Sequence, residues 1–401
     1  MRRRVLLIQE AMGGCGRHVA DLVNGLDPER FEVTLVYGTS RLDDFYREAL
    51  PGMAGHARLI PCDDLVRPIS PAHELRALRA VMRVMREVRP EVVHCHSSKA
   101  GVIGRMAVKL CGRACGVRRV FYTPHAYSFQ APEFGGRKRM VFVGLERWMS
   151  RHATDLTFNV SGGERDAALA ERLDAPGKFE VVYNGVADVP VPSKEEARRL
   201  LGLDALGVPV DAPVVGVTAR LVEQKDPMTA VKVMAEVIKA RPETHMVFVG
   251  DGELESPLRE FVAAQGLERN VHLLGYRADA ERIVGAFDVY LLTSLYEGMP
   301  YSLVEALRAG VPIAATDATG NNEVVEPGVN GALFPVGDVP SGVRCVLDLL
   351  ADPPASSAVR GTYLERFTLD AMLATVSARY EGKAPVRDGE AAESGKESEE
   401  R

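Results

Sequence analysis

Two doubly wound α/β domains are predicted by three observations. Short apolar runs rich in β-branched residues alternate with longer helical patterns, as parallel strand-helix-strand units require. These runs fall in two series separated by a Pro/Ser/Lys segment. The length of 401 residues exceeds one ordinary core and suits two domains, and an apolar fraction of 46% is enough to bury both.

In chain order, the first series places strands at 5–8, 31–36, 92–95, 120–123, 155–159 and 179–182. The second places them at 214–217, 245–249, 271–274, 289–292, 313–315 and 332–334. Between them Pro190-Val191-Pro192-Ser193-Lys194 opens a charged, Gly/Pro-containing stretch that reads as a linker over 191–213. The expected domains are therefore 1–190 and 214–365, facing each other across a cleft, with ligands at the carboxyl ends of the strands. A last helix over 366–381 is expected to pack back toward the first domain. From Gly382 to Arg401 the composition turns to Glu, Ser, Gly, Lys and Ala, and a disordered tail is expected.

The 49 Lys plus Arg against 55 Asp plus Glu give a net charge of -6, so no overall basic field draws in nucleic acid. The apolar run after Arg2-Arg3-Arg4 ends at Gln9-Glu10, too soon for a secretory core, and no stretch reaches the roughly 20 apolar residues that cross a bilayer. A cytoplasmic location is expected. Six scattered cysteines, without paired zinc-type spacing, fit reduced thiols.

The most informative stretch is Thr293-Ser294-Leu295-Tyr296-Glu297-Gly298-Met299-Pro300-Tyr301-Ser302-Leu303-Val304-Glu305. It follows a strand and opens a helix at Pro300, which Gly310 and Pro312 end. The N–H groups of Tyr301 and Ser302 fall among the unpaired donors of a helix start, a ready diphosphate site. Glu297 and Glu305 are too far apart to share a metal ion but suit two ends of a long ligand such as a nucleotide sugar. Spacing alone fits two solvated helix glutamates equally well. Arg220 and Lys225 follow the strand 214–217, where a diphosphate would arrive, and can offset charge on a leaving group; a surface ion pair is the plainer reading.

Together the E-x7-E element, Arg220-Leu221 with Lys225, Gly250-Asp251-Gly252 after a strand, and Asn330-Gly331 resemble family 4 of the retaining glycosyltransferases, with the GT-B fold, over most of 214–340. The resemblance extends to bacterial exopolysaccharide and lipid-linked oligosaccharide enzymes. It implies that Arg220 and Lys225 hold the diphosphate, Glu305 the ribose, and Glu297 with the backbone of Gly298 and Met299 the donor sugar. One departure is Thr319-Gly320, where such proteins often have two glycines.

In the first half, Gly13-Gly14-Cys15-Gly16 turns into a helix; a lone cluster of this kind fits a tight turn as well as a ligand. The resemblance marks Gly14 for a backbone contact. His125, just past a strand, fits a contact to a donor-sugar hydroxyl or a satisfied loop residue; the resemblance implies the catalytic contact, though the family usually follows this histidine with Gly rather than Ala126. His94-Cys95-His96 invites a metal, but strand alternation puts Cys95 on the opposite face, so no metal is assigned. Ser97, Ser98 and Lys99 fall on the acceptor side by resemblance, with Lys99 for an acceptor phosphate. The helix 74–89 carries an arginine stripe that fits an anionic membrane surface or plain solvent.

The expectation is transfer, with retention, from a nucleotide sugar, UDP-linked first among them, to a glycan, polyprenyl-linked or small-molecule acceptor. No cofactor or metal is expected, because Arg220, Lys225 and a helix terminus neutralise the diphosphate. A nucleotide-sugar epimerase or hydrolase, or a non-catalytic sensor, would share the donor pocket.

Overall fold

The computed structural model describes residues 2–130 and 135–384. They form two units, each built on one parallel sheet. The first holds the chain up to Asn159, then Ala168–Val182, and finally the chain from Met372 on; the second holds Val160–Ala167 and Tyr183–Ala371.

The sheet of the first unit has the order β3-β2-β1-β4-β5-β6-β7. Its strands are β1 Arg3–Gln9, β2 Phe31–Gly38, β3 Ala57–Cys62, β4 Val92–His96, β5 Arg119–Thr123, β6 Leu156–Asn159 and β7 Phe179–Val181. Central strands are buried on both faces, which is why β1 and β4 read as unbroken apolar runs. The edge strand β3 is half-exposed, and its sequence Ala-Arg-Leu-Ile-Pro-Cys lacks such a run; it is the strand the sequence does not reveal.

In the second unit the order is β10-β9-β8-β11-β12-β13, formed by β8 Val214–Thr218, β9 His245–Val249, β10 Val271–Leu273, β11 Val289–Leu292, β12 Ile313–Thr316 and β13 Gly331–Phe334. In both sheets the direction of winding reverses once, between β1 and β4 and between β8 and β11. Such reversals open a crevice at the carboxyl ends of the two flanking strands.

One expectation about boundaries changes. The stretch 191–213 is no linker: Ser193 caps the helix Lys194–Leu201, and Ala197, Leu201, Leu203, Val208 and Ala212 are buried in the core of the second unit. Its charges lie on the outer face of that helix, which disguised the buried stripe. The final helix, Leu369–Tyr380, begins in the second unit and from Met372 belongs to the first. There Tyr380 is fully buried, with its hydroxyl 2.6 Å from His94 Nδ1, and Arg379 pairs with Glu180 through Nε and Nη2 to both carboxylate oxygens. The predicted tail lies outside the described residues from 385 on.

Candidate functional site

In the second unit, the loops after β8 and β11 are stitched together. Leu295 N donates to Gln224 O at 2.9 Å, Gln224 Nε2 to Tyr296 O at 2.9 Å, and Thr293 Oγ1 to Asp226 O at 2.7 Å. Asp226 then caps the helix Pro227–Ala240, fixing where the first loop ends. This places Lys225 Nζ 2.5 Å from Glu297 Oε1, which also accepts from Ser294 Oγ at 2.6 Å. Both bonds land on the same carboxylate oxygen. Glu297 is only 8% exposed, and a buried pair of this kind adds little to stability, so its presence at the crevice points to a ligand role. Arg220 is exposed and forms no ion pair among the described residues, so its charge is available.

The helix Tyr301–Arg308 starts at Pro300, and Gly310 beyond it takes φ +70°, as the Gly-x-Pro stop suggested. Tyr301 is buried in the core and orients the first turn, while Ser302 is half-buried. Glu305, 5% exposed, sits one turn on. It lies near Tyr290 of β11, whose phenol burial pushes up to about 12, with hydrogen bonds from Ser302 and Thr218 opposing and the Glu305 charge adding. Met299 is held from behind by Asn184, whose Nδ2 donates to Met299 O at 3.0 Å. Gly250, at φ +139°, has no room for a side chain: a Cβ there would stand 2.0 Å from Ala219 O, so it lets the β9 loop close on the β8 loop.

The Thr319 departure is harmless to the backbone. Only Gly320 takes a left-handed conformation, φ +85°, against Gly298 O, whereas Thr319 O accepts from Glu297 N at 3.2 Å. Close by, Glu323 accepts from Gly162 N and Gly163 N at 2.6 and 2.7 Å. Neither Asn184 nor Glu323 was singled out from the sequence; each works through main-chain atoms far along the chain.

In the first unit, Gly13 at φ +64° ends the β1 loop and Gly14 opens the helix Gly14–Gly25, exposed at its first turn. Asp43 ties this turn down, accepting from Gly13 N at 2.8 Å while its other oxygen caps the helix Asp44–Met53. Behind lies Glu10, 5% exposed, whose carboxyl burial holds above its ordinary range against the opposing charge of Arg41.

His125 and Ala126 adopt φ +54° and +80°, two consecutive left-handed non-glycine residues, a costly conformation that turns the imidazole inward. His125 Nε2 lies 3.3 Å from His96 Nδ1 at the end of β4, and the ring of His18 stands edge-on to His125 at 4.8 Å. His94 backs His96, ring centroids 3.9 Å apart, and is itself fixed by Thr123 Oγ1 and the Tyr380 hydroxyl. Burial holds His94, His96 and His125 well below the ordinary histidine range, and neighbouring imidazoles push the same way. His125 is therefore neutral near pH 7 and can bond a hydroxyl. Among the described residues, His18, His96 and His125 are the one group of three side chains whose ligand atoms, within 4.8 Å of one another, could gather a cation. Cys95 points the other way, as strand alternation predicts, with its Sγ against Gly104.

Of the residues that the resemblance assigns to the acceptor, Ser97 takes φ +71° and is buried, Ser98 Oγ lies 2.6 Å from Ser128 Oγ, and Lys99 Nζ bonds Glu74 at 2.5 Å and Pro68 O at 3.1 Å. The Lys99 charge is thus already met within the unit, and an acceptor phosphate would have to displace Glu74. The helix Pro71–Val88 buries Ala77, Val81, Val84 and Met85, and its arginines line the solvated side, with Arg76 paired to Asp64.

Residues 203–362 match the family model described as glycosyl transferases group 1, and residues 12–188 match that described as glycosyltransferase family 4. The chain is 28% identical, over 82% of each chain, to UDP-Gal:alpha-D-GlcNAc-diphosphoundecaprenol alpha-1,3-galactosyltransferase of Escherichia coli. It is 26% identical to putative glycosyltransferase EpsD of Bacillus subtilis, over 71% of this chain and 74% of the relative. Among solved structures, Anabaena Alr3699/HepE in complex with UDP and glucose superposes with a TM-score of 0.78 at 21% identity, covering 95% of this chain and all of that one.

Proposed function

Because the chain belongs to family 4 of the glycosyltransferases and so transfers a sugar from a nucleotide-sugar donor, we propose that the donor is a UDP-sugar and the acceptor a hydroxyl of a polyprenyl-diphosphate-linked glycan, met at the inner membrane periphery. The E. coli relative is named for that donor and acceptor class. Lys225 and Ser294 gathered on one oxygen of Glu297, beside a helix start at the β8/β11 reversal, is the observation that carries the reading.

On this proposal Arg220, Lys225 and the amides of Tyr301 and Ser302 neutralise the diphosphate without a metal ion. Glu305 accepts from the ribose hydroxyls, and Glu297, with the backbone of Gly298 and Met299, positions the donor sugar. The acceptor oxygen bonds to the anomeric carbon on the face the diphosphate leaves, the bond from that carbon to the diphosphate oxygen breaks, and a departing phosphate oxygen takes the acceptor proton. In the first unit His125, neutral, bonds a sugar hydroxyl, and Gly14 offers its N–H to an incoming ligand. Ser97 and Ser98, with Lys99 once released from Glu74, contact the acceptor.

The test is a thermal-shift screen against UDP, GDP, ADP and TDP and their sugars, since a ligand bound only by the folded state raises apparent stability. A shift selective for UDP, lost in Arg220→Ala and Glu305→Ala, is expected. A larger shift with another nucleotide overturns the donor assignment, and consumption of donor without acceptor favours a hydrolase.

A further inference from the structure

The helix Gly136–Ala153 of the first unit presents an unusual outer face. Met140 and Val141 are 72% and 68% exposed, and Trp148, the single tryptophan of the chain, is 41% exposed. Positions 137, 141, 144 and 148 recur at helical spacing, so Arg137, Val141, Gly144 and Trp148 form one stripe, with Lys138 and Met140 beside it, about 16 Å long. Arg137 and Lys138 are exposed and form no ion pair among the described residues.

The inner face explains why this outer face carries no acid. Glu146 is the sole acidic residue of the helix, and it is buried against Arg105 at 2.8 Å, with the Tyr122 hydroxyl 3.1 Å from its other oxygen. Arg139 and Arg147 are likewise engaged, with the Glu171 carboxylate and with the Glu171 and Arg172 carbonyls. Among the described residues, what remains outward is two cations without an ion-pair partner, two bare aliphatic side chains and an indole. That combination suits the boundary of an anionic bilayer: the cations meet lipid phosphates, the aliphatics enter the acyl layer and the indole sits at the headgroups. The helix begins at the carboxyl edge of the sheet, following β5, the same edge at which His125 and Ser98 lie.

We propose that this helix docks the protein on an anionic phospholipid surface, lying in the interface plane with Met140, Val141 and Trp148 inserted. The inference deepens the proposed membrane-borne acceptor, yet its test uses neither donor nor acceptor, so the two can fail separately.

The full chain is mixed with vesicles of phosphatidylglycerol and phosphatidylcholine, or of phosphatidylcholine alone, and Trp148 emission is read directly. A blue shift with anionic vesicles only, quenched by lipids brominated on the acyl chain, is expected. Met140→Asp with Val141→Asp, and separately Arg137→Glu with Lys138→Glu, should each lower the vesicle partition coefficient at least about tenfold. Both double variants should keep the wild-type far-UV circular dichroism and melting temperature, which shows that they fold. Unchanged Trp148 emission with anionic vesicles overturns the proposal, as does vesicle binding that both double variants retain. Self-association in light scattering that the same variants abolish, without vesicle binding, assigns the face to a second copy and overturns it too.

Discussion

At the reversal between β8 and β11 the gathered side chains carry full charges that meet each other, Lys225 on Glu297, whereas at the reversal between β1 and β4 they are imidazoles stripped of charge by burial. One crevice is suited to an anion whose charge grows as a bond breaks. The other is suited to hydroxyl groups, which a neutral imidazole can bond from either side. The same strand order thus carries two electrostatic characters, and the difference lies in which residues follow the strands.

The comparison breaks most severely at the charged crevice. Lys225→Ala should lower kcat/KM about 10³-fold, the scale of losing a preorganised charge contact to a leaving group. It should also cost about 2 kcal/mol of stability by leaving the buried Glu297 carboxylate with only the Ser294 hydroxyl to meet its charge, measured by denaturant unfolding. Turnover within threefold of wild type would remove the lysine from the donor site. Next, His125→Ala should lower kcat about 10²-fold while the UDP thermal shift persists, because the imidazole belongs to the neutral crevice; a lost UDP shift would merge the two roles.

Acid should separate the crevices by stability. His94 and His96 have folded pKa values well below the unfolded value near 6.5, so the unfolded chain takes up protons first as pH falls. Their contribution is complete above that value and lost below it, at about 1.4 kcal/mol per pH unit for each group. Melting between pH 7.5 and 5 should show this slope, and His96→Gln should flatten it; an unchanged slope would place the acid sensitivity elsewhere. The smallest effect is Ala126→Gly, which relieves φ +80° and should raise stability by about 1 kcal/mol with kcat unchanged. A fall in stability would mean that the entropy glycine adds to the unfolded chain outweighs the relief.

The charged crevice was legible in the sequence because its parts lie close together: Glu297 to Glu305 is one loop and one helix, and Arg220 to Lys225 one loop. The neutral crevice was legible only in pieces. His125 and Gly14 stood out, but the approach of His18 and His96 to His125 joins the first helix to the ends of β4 and β5, whose sequence separation carries no pattern. Twelve of the strands followed from buried apolar runs; β3 did not, being half-exposed at an edge. Composition misread 191–213, since a helix that buries one narrow stripe looks charged when averaged. Lys99 was visible as a cation, but its engagement with Glu74, 25 residues away, was not.

The placement of Tyr380 has a consequence for biosynthesis. A nascent chain ordinarily completes its first domain while the rest is still being made. Here the core around His94, Phe121 and Phe31 stays open until the ribosome has delivered the aromatic ring at position 380, which packs within 6.0 Å of all three. The first unit to be synthesised is the last to be finished, and any chain that stops before Met372 leaves that core exposed to the machinery that removes incomplete proteins.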